Sequence, residues 1–202
     1  MISLDPFYPI VDSAAWVGRL VGVGAAFIQL RIKGATEAHV RGELHHAMTI
    51  CRRSGAELVV NDHWDYAIDA GADWVHLGQS DLDEADVDSI RKHSIRLGIS
   101  THSHQELDRA LTLDPDYVAL GPIYPTTLKI MPWKPQGLER IGEWKRLIGE
   151  RPLVAIGGIT LERAPGCLAA GADVVSVVSD ITANADPEAR ARAWIAATRP
   201  KP

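Results

Sequence analysis

Short apolar runs punctuate the chain at residues 7–11, 27–30, 58–60, 74–77, 96–99, 117–120, 153–156 and 174–178. Each is strand-length and mostly apolar, the pattern of a strand buried on both faces. Between the runs lie segments with apolar residues at helical spacing, among them 37–53, 85–92, 105–111, 138–148 and 188–197. One strand and one helix recur about every 25 residues, which is the compact limit of an eightfold βα repeat. The pattern predicts an α/β fold, a single (β/α)8 TIM barrel over residues 1–202, with the last few residues frayed. Ala70-Gly-Ala-Asp73 and Ala170-Gly-Ala-Asp173 precede the fourth and eighth runs, and Gly24 and Asp114 open similar stretches before the second and sixth. This fits a two-unit repeat, and equally the resemblance of all short αβ loops.

Polar residues terminate nearly every run. After the second, alternation places Gln29, Arg31 and Lys33 on one face, opposite Leu30 and Ile32. In a barrel that face points into the mouth, where it suits an anion and a ring; a solvated basic loop end is the plainer reading. The third run ends in Asn61-Asp62-His63, and the fourth leads to Gln79-Ser80-Asp81. Asp62 also reads as a helix N-cap and Asp81 as a turn residue. Their place on adjacent strands favours a shared Mg2+, a hard cation held by carboxylates with positions left for phosphate oxygens. His63 and His76 lack zinc spacing, His45 and His46 fall within a helix, and His102 and His104 start one, so zinc is not expected. Ser100 ends the fifth run as a hydroxyl at the mouth or as a helix cap; nothing marks it as a nucleophile.

The sixth run hands over to Gly121-Pro-Ile-Tyr-Pro-Thr-Thr-Leu-Lys129, a stiff turn with two hydroxyls and an ammonium. Gly157 and Gly158 after the seventh run, with Ser179 after the eighth, match the phosphate cup common in such barrels. Two anion sites emerge. One is that cup, and the other gathers Arg31, Lys33, Lys129, the Thr126 region and the expected Mg2+. Facing each other, they suit two phosphorylated substrates joined with loss of diphosphate.

Composition narrows the picture modestly. A net charge of −5 argues against nucleic acid as partner, and no 18-residue apolar stretch exists, so neither export nor membrane insertion is expected. Cys51 and Cys167, far apart and in helical segments, fit a reducing cytoplasm without a disulfide framework. Trp16, Trp144 and Trp194 fall on helical segments and read as packing; Trp133 reads as a lid or an exposed loop aromatic. The exterior helices leave room for a homo-oligomer.

In order, QLRIK (29–33), VVNDH (59–63), GADWVHLGQSDL (71–82), GISTHS (98–103), GPIYPTTLK (121–129), PQGL (135–138) and VAIGGI (154–159) resemble the thiamine-phosphate synthase family over most of the chain. The resemblance implies transfer of an aminopyrimidine-methyl group from its diphosphate to the nitrogen of a hydroxyethylthiazole phosphate. The products would be thiamine phosphate and diphosphate. It also implies that Gln29, Arg31, Lys33 and Asn61 bind the pyrimidine diphosphate and that Asp62 and Asp81 hold Mg2+. Ser100 would contact the pyrimidine substrate and Lys129 the diphosphate, making Lys129, Arg31 and Ser100 the catalytic set. Thr126 and its neighbours Thr127 and Leu128, with Gly158, Val178 and Ser179, would bind the thiazole phosphate.

The chain departs from the family pattern at four places. Ile32 replaces an acidic residue on the face turned from the mouth, and His63 stands where arginine is common. Asp180 puts a negative charge beside the cup, and Leu128 lacks a hydroxyl that Thr127 carries instead. Two rival readings are a thiazole phosphate tautomerase, which needs no metal-diphosphate site, and a non-catalytic pathway protein that binds phosphate. Retention of Asp62, Asp81, Arg31 and Lys129 speaks against the tautomerase.

Overall fold

The computed structural model describes residues 3–126 and 133–199. Its eight strands are β1 (Phe7–Val11), β2 (Phe27–Leu30), β3 (Glu57–Asn61), β4 (Trp74–Leu77), β5 (Arg96–Thr101), β6 (Tyr117–Leu120), β7 (Leu153–Ile156) and β8 (Val174–Val177). All neighbours pair parallel, and β8 returns to β1, so the sheet closes in sequence order. The helices between and after them are α1 (Ala14–Gly22), α2 (Glu37–Ser54), α3 (Trp64–Ala70), α4 (Val87–Lys92), α5 (His104–Thr112), α6 (Gly137–Ile148), α7 (Ala164–Ala169), α8 (Ser179–Thr182) and α9 (Pro187–Thr198). The expected TIM barrel is thus present. No helix among the described residues is long and apolar enough to cross a membrane.

Closure sorts each strand by parity. Outward positions such as Phe7, Ile28, Val75 and Val175 join the helices in one continuous buried cluster. Inward positions make a second cluster from Leu4, Tyr8, Phe27, Val59, Trp74, Tyr117, Ala119, Val154 and Val174. Tyr8, Phe27, Trp74 and Tyr117 interlock there, with ring centroids 4.4 to 6.3 Å apart. These rings fill the lower barrel, so a ligand has access only from the end where the strands finish.

Four strand ends differ from the hydropathy reading, one of them the far end of β3, which runs on to Asn61. β3 begins at Glu57, whose carboxylate takes the Trp74 indole N–H at 3.1 Å and the Arg96 guanidinium at 2.6 Å. A polar residue so partnered extends the strand without an apolar signal. β5 runs on to Thr101, whose buried hydroxyl donates to Ala119 O at 2.9 Å and accepts the Trp144 indole N–H at 2.8 Å. β8 stops at Val177, one residue short of the apolar run, because Val178 flanks α8. Asp116 and Asp173, just before β6 and β8, each accept a backbone N–H from the preceding strand, at Leu97 and Leu153. Trp144 and Trp194 are fully buried, and Cys51 and Cys167 are separate buried thiols.

Candidate active site

Two residues beyond the aromatic tier, the inward positions change character. Gln29, Asn61, His76, Ser100 and Ser176 replace rings with polar groups, and they line a cavity of about 770 Å³ at the C-terminal mouth. Such a volume suits small-molecule ligands, whose sites span ~300–1,000 Å³. One wall carries Gln29, Arg31, Lys33, Asn61, Asp62, Asp81 and Ser100. The other carries Gly121, Pro122 and Thr126 after β6, Gly157 and Gly158 after β7, and Val178 and Ser179 after β8. Every expected site residue that the structure describes therefore borders this one cavity. Thr127, Leu128 and Lys129 lie outside the described residues.

Strand parity holds at the anionic wall. Arg31 and Lys33 border the cavity while Ile32 is buried in the outer core, where the family's acidic residue is absent at no cost to the mouth. Asp62 is not a helix cap: His63 flanks α3 and makes no side-chain cap bond. The Asp62 backbone lies in the left-handed region at φ 63°, and its carboxylate pairs with the Lys33 ammonium. Asp81 accepts the Gly78 N–H at 3.1 Å, so its turn role coexists with its place at the cavity. His63 stacks on Tyr66 at 5.3 Å, outside the main cavity. Among the described residues no three His, Cys, Asp or Glu groups converge as metal ligands. Two carboxylates on one wall remain a donor set suited to a hard cation that keeps other positions open.

Ser100 is not a helix cap either; Ser103 caps α5. Its Oγ lies 2.8 Å from His76 Nε2, and His76 Nδ1 lies 2.8 Å from the Tyr117 hydroxyl. Tyr117 and Tyr8 hydroxyls are 3.0 Å apart, and Gln29 Nε2 donates to Tyr8 at 2.7 Å. Burial holds the His76 imidazole neutral, with a pKa pushed down to about 4; Asp81 opposes the shift, and Arg31 and His102 add to it. Burial likewise pushes both phenols upward. Consecutive apolar residues hid this network, because Tyr8 and Tyr117 read as core. Period-2 counting inside each run, Trp74 then His76 or Gly98 then Ser100, is the signal that separates the tiers.

The Gly157–Gly158 turn has a second reason beyond phosphate. A Cβ on Gly157 would meet Pro122 at 2.6 Å, and one on Gly158 would meet Pro125 O at 2.4 Å. The 121–125 loop lies directly on this turn, held by Ile123 N–H to Ile156 O and Tyr124 N–H to Gly157 O, both 2.9 Å. Asp180 does not face the cup as feared. Its carboxylate accepts from Arg190, from the Trp194 indole at 2.7 Å and from Leu161 N–H at 3.3 Å. Ser176 Oγ is buried at the cavity wall with no hydrogen-bond partner among the described residues. Trp16 packs against the outer core as expected and also borders the mouth, with the Arg19 guanidinium 4.0 Å from its ring. Trp133 also borders it, stacked on His102 at 5.8 Å, and His102 precedes α5 instead of starting it.

A family model described as thiamine monophosphate synthase matches residues 7–181. The chain belongs to that family. It is 56% identical over 199 residues to the thiamine-phosphate synthase of Rhizobium etli, covering 98% of each chain. It is 46% identical to the synthase of Neisseria meningitidis serogroup B, over 93% of this chain and 92% of the relative. Among solved structures, a thiamine phosphate pyrophosphorylase from Pyrococcus furiosus superposes with a TM-score of 0.85 at 25% identity, covering 96% and 95% of the two chains. A 3-hexulose-6-phosphate synthase at 19% identity and TM-score 0.69 shares the fold. Membership in the thiamine monophosphate synthase family makes this chain a transferase of thiamine biosynthesis.

Proposed function

We propose that the cavity joins an aminopyrimidine-methyl diphosphate to a hydroxyethylthiazole phosphate, forming thiamine phosphate and diphosphate. The observation that carries this reading is the placement of two opposite walls around one cavity: Arg31, Lys33, Asp62 and Asp81 on one side, Gly158 and Ser179 on the other. The whole chain acts as one domain on small molecules, in the cytoplasm, with neither nucleic acid nor membrane as partner.

In this reading the bond from the methylene carbon to the diphosphate oxygen breaks, and a bond from that carbon to the thiazole nitrogen forms. The electron-rich aminopyrimidine supports positive charge on the carbon. The protein must then neutralise charge growing on the leaving oxygens and hold the incoming nitrogen in line. Arg31, Lys33 and Lys129 grip the diphosphate, and Gln29, Asn61 and Ser100 hold the pyrimidine. Thr126, Thr127 and Leu128, with Gly158, Val178 and Ser179, seat the thiazole phosphate. Asp62 and Asp81 would hold Mg2+, which supplies charge neutralisation on the diphosphate when bound. His76 serves as no general base here, because both ring nitrogens are hydrogen-bonded and the ring is buried.

The test is to incubate the protein with both precursors and Mg2+, then quantify thiamine phosphate and diphosphate. Equal amounts of both products are expected, with formation abolished by EDTA and restored by added Mg2+. Bound but unchanged substrates would refute catalysis, and full activity in EDTA would refute the metal.

A further inference from the structure

A chain of hydrogen bonds whose directions are interdependent joins the polar tier to the aromatic tier. It runs from Gln29 through Tyr8, Tyr117 and His76 to Ser100. We propose that Tyr8 and Tyr117 are positioning residues that hold His76 as its Nε2–H tautomer, and so make Ser100 a hydrogen-bond donor to the pyrimidine ring. This rests on the synthase reading above and specifies how its ring site is polarised.

The direction follows from counting protons. Gln29 Nε2–H donates to the Tyr8 oxygen, so the single Tyr8 proton is directed at its other polar neighbour, Tyr117. Tyr117 accepts that proton and donates its own to His76 Nδ1. A neutral imidazole carries one N–H; with Nδ1 accepting, the proton sits on Nε2 and is donated to Ser100 Oγ. An Nδ1 that accepts the Tyr117 proton cannot carry one of its own, which removes the doubly protonated form. Ser100 Oγ has then accepted once within the protein, and its own proton is left for the cavity. Any other allocation strands a phenol proton in a fully buried site, at the cost of an unmade hydrogen bond.

The arrangement matches the chemistry of its ligand. Gln29 has committed an N–H to Tyr8 and retains Oε1 as an acceptor, while Ser100 supplies a donor. A ring bearing an amino group and an unprotonated ring nitrogen satisfies both. Inverting the chain would require turning the Gln29 amide over, and both polarities would change together.

The fold makes room for this device. Tyr117 lies where a Gly98 side chain would be: a Cβ there would come within 2.0 Å of the Tyr117 ring. That ring also stacks on the imidazole at 5.6 Å and 14°, so His76 is oriented by a face contact as well as by its hydrogen bonds.

The experiment is a long-range 1H–15N correlation on histidine-labelled protein near neutral pH, with His76 assigned by its loss in His76→Gln. The expected spectrum shows His76 Nδ1 unprotonated and Nε2 protonated; an Nδ1–H tautomer or a mixture of both overturns the proposal. In Tyr117→Phe the tautomers are expected to mix, and KM for the pyrimidine diphosphate to rise about tenfold, the loss of one hydrogen bond. KM for the thiazole phosphate stays within about twofold. Tyr117→Phe with unchanged tautomer and unchanged KM also overturns it. The wild-type spectrum answers even if the protein makes no thiamine phosphate, which separates failure of the tautomer from failure of the synthase reading.

Discussion

At the scale of single residues, Gly158 shows how one position can serve two needs. Its backbone lies at φ 64°, in the left-handed region, and its missing side chain lets the 121–125 loop lie on the β7 end. Gly158→Ala is expected to cost about 1–3 kcal/mol through strain and the contact with Pro125 O. It is also expected to raise KM for the thiazole phosphate, because the displaced loop carries Thr126. Urea unfolding together with initial rates checks both, and an unaltered midpoint would remove the packing role. The glycine pair was legible in the sequence as a phosphate signal. Its steric purpose was not, since that depends on a loop some 35 residues earlier in the chain.

At the scale of elements, α8 and α9 show how a charge beside an anion site can be removed from play. Asp180 lies in the first turn of the short α8, yet Arg190 of α9 takes both its carboxylate oxygens and the Trp194 indole adds a third bond. Arg190 also holds Glu162, so loss of Asp180's charge leaves it partly partnered. Asp180→Asn is therefore expected to cost about 2 kcal/mol, less than a fully buried pair broken on one side. Because the charge is already paired, KM for the thiazole phosphate should not fall. A markedly tighter KM in the variant would mean that Asp180 does repel the phosphate. The run of residues 174–178 announced the strand, but a lone Asp after it gave no hint of partners from the last helix.

At the scale of the whole molecule, closing the sheet places a histidine in the barrel's interior. The His76 pKa falls from 6.5 to about 4 on folding. Above pH 6.5 both folded and unfolded states leave it neutral, so it has no effect on stability there. Between pH 6.5 and 4 the unfolded chain takes up a proton that the folded chain refuses, so stability falls with pH, by about 3 kcal/mol once below the folded value. His76→Gln should show a correspondingly weaker loss of stability than the parent over this window in urea titrations at stepped pH. Equal pH dependence in both proteins would show that the ring is not held neutral.

The amino-acid sequence by itself determined the order of strands and helices, because continuous apolar runs alternating with helical periodicity admit few folds. It also determined which residues gather at the mouth, since the polar end of a parallel strand has one place to go. What the tertiary structure alone decided is how those residues are partnered. The Asp62–Lys33 pair, the loop on Gly158 and the Gln29-to-Ser100 chain all join residues distant in sequence. Hydrogen bonds and steric contacts act over a few ångströms, and only the folded sheet brings these groups within that range.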